Sequence, residues 1–379
     1  MKKILITYGM YGSGHKSIAS YIKNYFEQHS DYEVKVLNIT DYSNFWGKVS
    51  IRFWDFVMAY RTELLFDTWY EIIDHKMFIK YQDKLAKLFF DNKQLRDDIM
   101  TFNPDLTINT HFYGGNIINY YNKKGYTHSK IMSVLTDYAP HYCWLADRHH
   151  QDAFVVANEI MKRDLVENYD VDAKKIYAFG IPFDKDKSMN LNSKEHTIKK
   201  YKLNPDYLTY VFFGGGSNGS MAYYNYFKAL AKRDFNINLI FICGKNEKLK
   251  IKCDNFVKEN NLKNVKVLGF TTDVYNLLKV ADCVISKPGG ATVTECCEMD
   301  VPMIMIPGYG GQEKYNAKFV KKRGYGVNVR GYYHFVKMVQ KTISNEQILK
   351  KWRRNIEKVN KNNSTEKIFK LSEKLLSKN

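Results

Sequence analysis

Between Tyr8 and Ser17 the chain reads YGMYGSGHKS, which sets a histidine, His15, directly after the last glycine of a loop. An apolar run precedes the loop and a helical pattern follows it, the strand–glycine turn–helix layout of an anion cradle. A phosphate-binding nucleotidase loop needs its lysine immediately after that glycine, and here His15 stands between Gly14 and Lys16. A dinucleotide loop would want a third glycine and an acid about 20 residues on; Ser17 fills the first place and Asp41 lies too far along for the second. An imidazole at a helix start is disfavoured from charging and suits the role of a general base near neutral pH. The bland alternative is a local cap. Asp137, in LTDY just past a strand-like run, either orients His15 or is itself the base. His141 and Trp144 follow it and could line a substrate path, with His111 a further candidate for that wall; His149 and His150 sit in a polar run and read as surface.

A second set of groups lies in the other half. Gly214, Gly215, Gly216, Ser217, Asn218 and Gly219 fall between a strand and a helix, where main-chain N–H groups and the Ser217 hydroxyl suit a diphosphate. Further on, SKPGGATVTE turns through Gly289 and Gly290 into a helix carrying Glu295, a carboxylate able to accept both hydrogen bonds of a ribose diol. GQEKYNA then offers Gln312, Glu313 and Asn316, side chains suited to a hydroxyl-rich ligand. No pair of acids sits convincingly at a strand end for a divalent metal.

These groups need strand ends to hold them, and the pattern supplies them. Strand-like runs (KILITY, EVKVLNI, DLTINT, KIMSVLT, AFVVAN, IYAFG; then LTYVFFG, INLIFICG, VKVLGF, CVISKP, PMIMIP) alternate with helical ones. That alternation predicts an α/β chain with parallel sheets. The polar stretch DKDKSMNLNSKEHT reads as a linker. The expected division is residues 1–185, residues 186–345 and a basic helical segment over 346–379. Each of the first two is a Rossmann-like doubly wound domain, with ligands at the carboxyl ends of its strands, facing the other across a central cleft.

The formal net charge is +18, and 16 Lys or Arg against four Glu from residue 321 onward carry most of it. Such a surface suits anionic lipid or nucleic acid, or is merely solvated. The six cysteines show no C-x-x-C spacing and read as reduced thiols. A strand at the very start leaves no place for a signal peptide, and no apolar run reaches the ~18 residues of a membrane span. A cytosolic location is the expectation. Residues 42–66 hold eight aromatics. Phe53, Trp54, Phe56 and Tyr60 are core by default, or the lipid-facing side of an interfacial helix flanked by Lys48, Arg52 and Arg61.

GGGSNG, SKPGGATVTE and GQEKYNA, in that order and spacing, resemble the donor half of glycosyltransferase family 28. GSGHKS, SVLTDYAPHYCW and KIYAFGIPFD resemble its diacylglycerol branch, that of monogalactosyldiacylglycerol synthases and processive diacylglycerol glucosyltransferases. The resemblance spans roughly residues 1–345, and NTHFYGGN departs from it. It implies a GT-B fold, a UDP-hexose bound in the second half and diacylglycerol or a related lipid in the first. Carried over by motif, Ser217 and its neighbouring glycines face the diphosphate, Glu295 the ribose, Gln312 and Glu313 the sugar, and the Phe270 backbone the uracil. Gly14 and His15 face the acceptor, and transfer proceeds with inversion, without a metal cofactor. The site of action is the inner face of the cell membrane, against an anionic surface. Two other readings stay open: a polyprenol-linked or small hydroxylated acceptor, and nucleic-acid binding by the basic tail. The tail lacks glycine–aromatic RNA signatures, so no nucleic acid is expected.

Overall fold

The computed structural model describes the chain except residues 10–12, 61–73, 76, 78, 147, 216–218, 309, 359–362 and 378–379; the side chains of 13, 54–60, 80 and 83 also lie outside the description. It divides into two compact units: Met1–Phe183 with Tyr309–Tyr315 and Asn362–Asn379, and Asp184–Gly308 with Asn316–Lys361. The stretch expected as a separate C-terminal segment is shared between them, and Gln312 and Glu313 group with the first unit.

The first unit runs β1 (Lys3–Tyr8), α1 (Ser13–His29), β2 (Glu33–Asn38), α2 (Phe45–Tyr60), α3 (Ile79–Phe90), α4 (Lys93–Phe102), β3 (Leu106–Asn109), α5 (Phe112–Lys123), β4 (Lys130–Val134), β5 (Ala153–Val155), α6 (Glu159–Tyr169) and β6 (Ile176–Tyr177). The chain continues through α7 (Lys185–Met189), α8 (Lys194–Tyr201), β7 (Leu208–Phe213), α9 (Tyr224–Ala231), β8 (Ile237–Ile242), α10 (Glu247–Glu259), β9 (Val265–Leu268), α11 (Val274–Val280), β10 (Cys283–Ser286), α12 (Gly290–Glu298), β11 (Met303–Met305), α13 (Gln312–Arg323), β12 (Gly326–Asn328), α14 (Tyr332–Ser344) and α15 (Gln347–Glu357), all in the second unit but for the first turn of α13. The last helix, α16 (Ser364–Leu376), returns to the first unit, where Phe369 packs on Phe26 at 5.0 Å between ring centroids and Ser364 Oγ donates to Gly180 O.

Each unit carries one six-stranded parallel sheet, in order β2-β1-β3-β4-β5-β6 and β12-β11-β10-β7-β8-β9. Strands such as INLIFI and CVIS are buried along their whole length, as in a parallel sheet covered on both faces. The doubly wound expectation is met twice. β12 was not expected, because GVN is three residues long with no alternating apolar pattern. Helix α2 turns Gly47 inward, where a Cβ would lie 2.5 Å from Phe89 O, and leaves Phe45, Trp46, Val49 and Phe53 exposed. Of the aromatic stripe expected on this helix, Phe53 is thus on the exposed side, and the side chains of Trp54, Phe56 and Tyr60 lie outside the described residues.

Strand order reverses between β1 and β3 in the first sheet and between β7 and β10 in the second. At such a switch point the loops leave in opposite directions and open a crevice at the strands' carboxyl ends. His15 follows β1 and His111 follows β3; the Gly214–Gly219 loop follows β7 and Gly289–Gly290 follows β10. All four segments converge on switch points.

The first crevice depends on a close approach. A Cβ on Gly114 would lie 1.9 Å from Thr7 Oγ1 and 2.8 Å from Asn109 Oδ1, whereas one on Gly115 would meet nothing nearer than 3.3 Å. Thr7 Oγ1 itself donates to Asn109 Oδ1 at 2.6 Å, both residues fully buried, so the pair has little freedom to move aside. Overpacking of this kind costs about 1–3 kcal/mol. Gly114→Ala should therefore lower Tm by roughly 3–10 °C, and Gly115→Ala should lower it much less. Thermal melts check this; a larger drop for Gly115→Ala would contradict the packing.

Candidate active site

The first crevice is organised by hydrogen bonds between segments remote in sequence. His15 Nδ1 lies 2.6 Å from Thr110 O and 3.2 Å from Thr136 Oγ1. A carbonyl only accepts, so Nδ1 carries the ring proton and donates it to Thr110 O. Nε2 is left with the lone pair, the atom a general base uses. Thr110 also grips the other side of the residue: its Oγ1 sits 3.0 Å from His15 O and 3.2 Å from Thr7 O, and its N–H donates to Thr7 O at 2.9 Å. One threonine thus sets both the main chain and the tautomer of His15. Burial lowers the His15 pKa to about 4, against the upward pull of the Thr110 carbonyl, so the half-buried ring is neutral at ordinary pH.

Asp137 follows Thr136, whose hydroxyl meets His15 Nδ1 beside the Thr110 carbonyl. His111 and His141 are buried and cap helices: each uses Nδ1 as an acceptor, His111 for Tyr113 N–H at 3.4 Å and His141 for Cys143 N–H at 3.0 Å. Their Nε2 atoms therefore carry the protons. His111 meets His15 edge to face, 4.9 Å between centroids, and burial, with His15 and His141 nearby, pushes its pKa well down. Burial takes His141 down to about 3. His141 Nε2 lies 3.8 Å from Asp74 Oδ1, but a neutral imidazole makes this no ion pair. Burial raises Asp74 to about 6, opposed by the Tyr142 N–H it accepts at 2.7 Å. Trp144 is buried among Leu135, Leu145 and Phe154. The wall expected from His111, His141 and Trp144 is thus built of packed and capping groups, and His15, half-buried, is the least enclosed of the three histidines. Thr110 and Thr136 escaped the sequence reading. Their one signal was a threonine at the end of INT and of VLT.

In the second unit, Gly214 N–H donates to Ile242 O at 2.9 Å and Ser220 N–H to Gly214 O at 2.7 Å, which closes the loop on the end of β8. Gly219 has φ +64°, and a Cβ there would lie 1.9 Å from Cys243 O, so only glycine fits. Gly215 has φ +109°. Gly216, Ser217 and Asn218 lie outside the described residues. Across the switch point, α12 begins after Gly289 with no side-chain cap, the kind of helix start that suits an acceptor brought by a ligand. Glu295 is half-buried on that helix. Asn316 is fully buried and donates Nδ2–H to Pro288 O at 3.0 Å, so it braces the Pro-Gly-Gly turn. Gln312 and Glu313 open α13, half-buried and buried respectively. Phe270, just past β9, is 57% exposed, with the Lys245 ammonium 5.3 Å from its ring centroid.

Residues 15–183 match the family described as monogalactosyldiacylglycerol (MGDG) synthase, and residues 210–375 the glycosyltransferase family 28 C-terminal domain. The chain is 25% identical over 377 residues to the processive diacylglycerol beta-glucosyltransferase of Bacillus licheniformis, covering 97% of this chain and 94% of that protein. To the Bacillus subtilis protein of the same name it is 26% identical over 379 residues, with 97% and 94% covered. Among solved structures it resembles S. aureus MnaA with UDP (TM-score 0.66, 15% identity, 99% of this chain and 98% of that one). It also resembles Acinetobacter baumannii MurG (TM-score 0.62, 13% identity, 99% and 100%). The fold is GT-B.

The histidine geometry has a measurable consequence. In the unfolded chain His15 and His141 titrate near 6.5, and in the fold near 4 and 3. Between those values the unfolded state binds more protons at these two rings, so stability falls as pH falls, an effect that Asp74, raised to about 6 by burial, partly offsets below that pH. Thermal melts should be level above about pH 6.5 and decline below it, with the decline reduced in His15→Gln. A curve flat down to pH 5 would contradict the burial of both rings.

Proposed function

We propose that this chain, which belongs to the diacylglycerol branch of glycosyltransferase family 28, moves a hexose from a UDP-sugar to the hydroxyl of diacylglycerol with inversion. The observation that carries the reading is His15, held through Nδ1 by Thr110 at a switch-point crevice with Nε2 unprotonated. Nε2 takes the proton of the acceptor hydroxyl as that oxygen bonds to the anomeric carbon. The bond from that carbon to the diphosphate oxygen breaks with its electron pair, and UDP leaves. The imidazolium formed keeps its Nδ1–H on a neutral carbonyl, so the proton returns readily to solvent. Main-chain N–H groups of the Gly214–Gly219 loop and of the α12 start meet the leaving charge in place of a metal. Glu295 accepts from the ribose diol, and Gln312 and Glu313 from the hexose. The names of the two Bacillus relatives favour this acceptor, and the UDP in the MnaA structure favours this nucleotide.

No helix among the described residues is long and apolar enough to cross a membrane. Work on a membrane lipid then takes place at the bilayer surface, which we assign to the inner face of the cell membrane.

The test is incubation with diacylglycerol liposomes and a panel of labelled nucleotide-sugars, followed by lipid chromatography, with and without EDTA. A labelled glycolipid should form from a UDP-hexose, undiminished by EDTA. His15→Ala should lower turnover ~10²–10⁴ and leave UDP affinity unchanged in calorimetry. If Asp137→Asn is the damaging change and His15→Ala nearly silent, the base is Asp137. No labelled lipid from any donor would defeat the acceptor assignment.

A further inference from the structure

One buried carboxylate of the first unit takes no part in the chemistry above. Asp74 stands in the chain between α2 and α3, and its side chain is only 11% exposed. Its Oδ1 accepts the Tyr142 N–H at 2.7 Å, and the same oxygen lies 3.8 Å from His141 Nε2. His141 Nδ1 accepts from Cys143 N–H, so Nε2 carries the ring proton and faces Asp74 with an N–H. Two consecutive residues thus present N–H groups to one oxygen. The other titratable groups beside it are the Cys143 thiol and, from α6, the Tyr169 hydroxyl; burial pushes both up, so both stay neutral. Among the described residues no lysine or arginine pairs with Asp74. A carboxyl buried without a cation costs stability when it ionises, and burial raises Asp74 to about 6. Asparagine would accept the Tyr142 N–H without that cost. What the charge adds is a hold on the imidazole N–H, which at 3.8 Å is beyond the reach of a neutral hydrogen bond.

That imidazole begins a row of rings that ends at the base. His141 lies along Phe112, 6.3 Å between centroids and 21° between planes. Phe112 stacks on His111 at 4.3 Å, and His111 meets His15 edge to face at 4.9 Å. The bond to Thr110 O fixes one atom of the His15 ring, about which the ring could still rock; contact with His111 limits that rocking. We infer that Asp74 is a positioning residue for the transfer: its carboxylate holds His141 and, through Phe112 and His111, keeps His15 Nε2 aimed at the acceptor hydroxyl. The assignment rests on the base proposed above but is also read by a signal that needs no transfer.

The experiment follows the histidine ring signals of the full chain by NMR from pH 5 to 8, without substrate, beside kcat and KM in the labelled-lipid assay. In this row only Asp74 changes charge over that range, since burial takes His15 to about 4 and His141 to about 3 and holds His111 well down. The His15 and His111 signals of the wild type should shift together with a midpoint near pH 6, and in Asp74→Asn they should stay level. His75, exposed beside Asp74, is present in both proteins and cannot account for the difference. Wild-type kcat should fall below about pH 6 to a plateau that Asp74→Asn shows throughout, roughly 10–10²-fold lower, with KM for the UDP-sugar unchanged. The variant keeps an acceptor for the Tyr142 N–H and loses a buried charge, so its Tm at neutral pH should not fall. Wild-type kcat and pH profile in Asp74→Asn would reduce the residue to a cap and overturn the proposal. So would His15 and His111 signals that ignore pH in the wild type, an arm that needs no variant. If no lipid is labelled from any donor, the signals still decide whether Asp74 governs the His15 ring, and only the function proposed above falls.

Discussion

The hydrogen bond from His15 Nδ1 to the carbonyl of Thr110 is the contact on which the first unit's chemistry rests. It joins the start of α1 to the end of β3 and leaves the ring one tautomer. A carboxylate in that place would raise the basicity of the ring and add a buried charge; a carbonyl orients it and adds none. The ring therefore stays neutral in a half-buried setting, at the cost of lower basicity, since burial outweighs the carbonyl's pull.

The same economy runs through the second unit. Its loops are held by main-chain bonds, by glycines that admit close approach, and by the buried amide of Asn316 on Pro288 O. Neutral donors in fixed positions suit a site that must meet charge only as it develops, because their orientation is set before the reaction begins. Lys48 and Arg52 lie at the surface beside exposed aromatics.

His111 and His141 show a second use for a histidine placed past a strand. Both follow strands, as binding residues do, yet each spends its acceptor nitrogen on a helix N-terminus, the work more often done by Ser, Asp or Asn. A histidine that caps with Nδ1 and one that donates from Nδ1 look alike in sequence. The difference lies in whether an N–H or a C=O stands opposite.

The sequence by itself determined the alternation of apolar strands with helices, the two glycine turns, the position of His15 at a helix start and the family motifs. Those features are local: they follow from periodicity, from the conformations open to glycine and from short spacings. It missed β12, too short to carry a period. Tertiary structure alone decided that Thr110 and Thr136, 95 and 121 residues from His15, would meet its ring. It also decided that Asn316 would brace a turn and that α2 would present its apolar side outward. Periodicity gives a helix a stripe but not the direction it faces; in α2 that direction was settled by Gly47, whose missing side chain lets the opposite edge close on the Phe89 carbonyl.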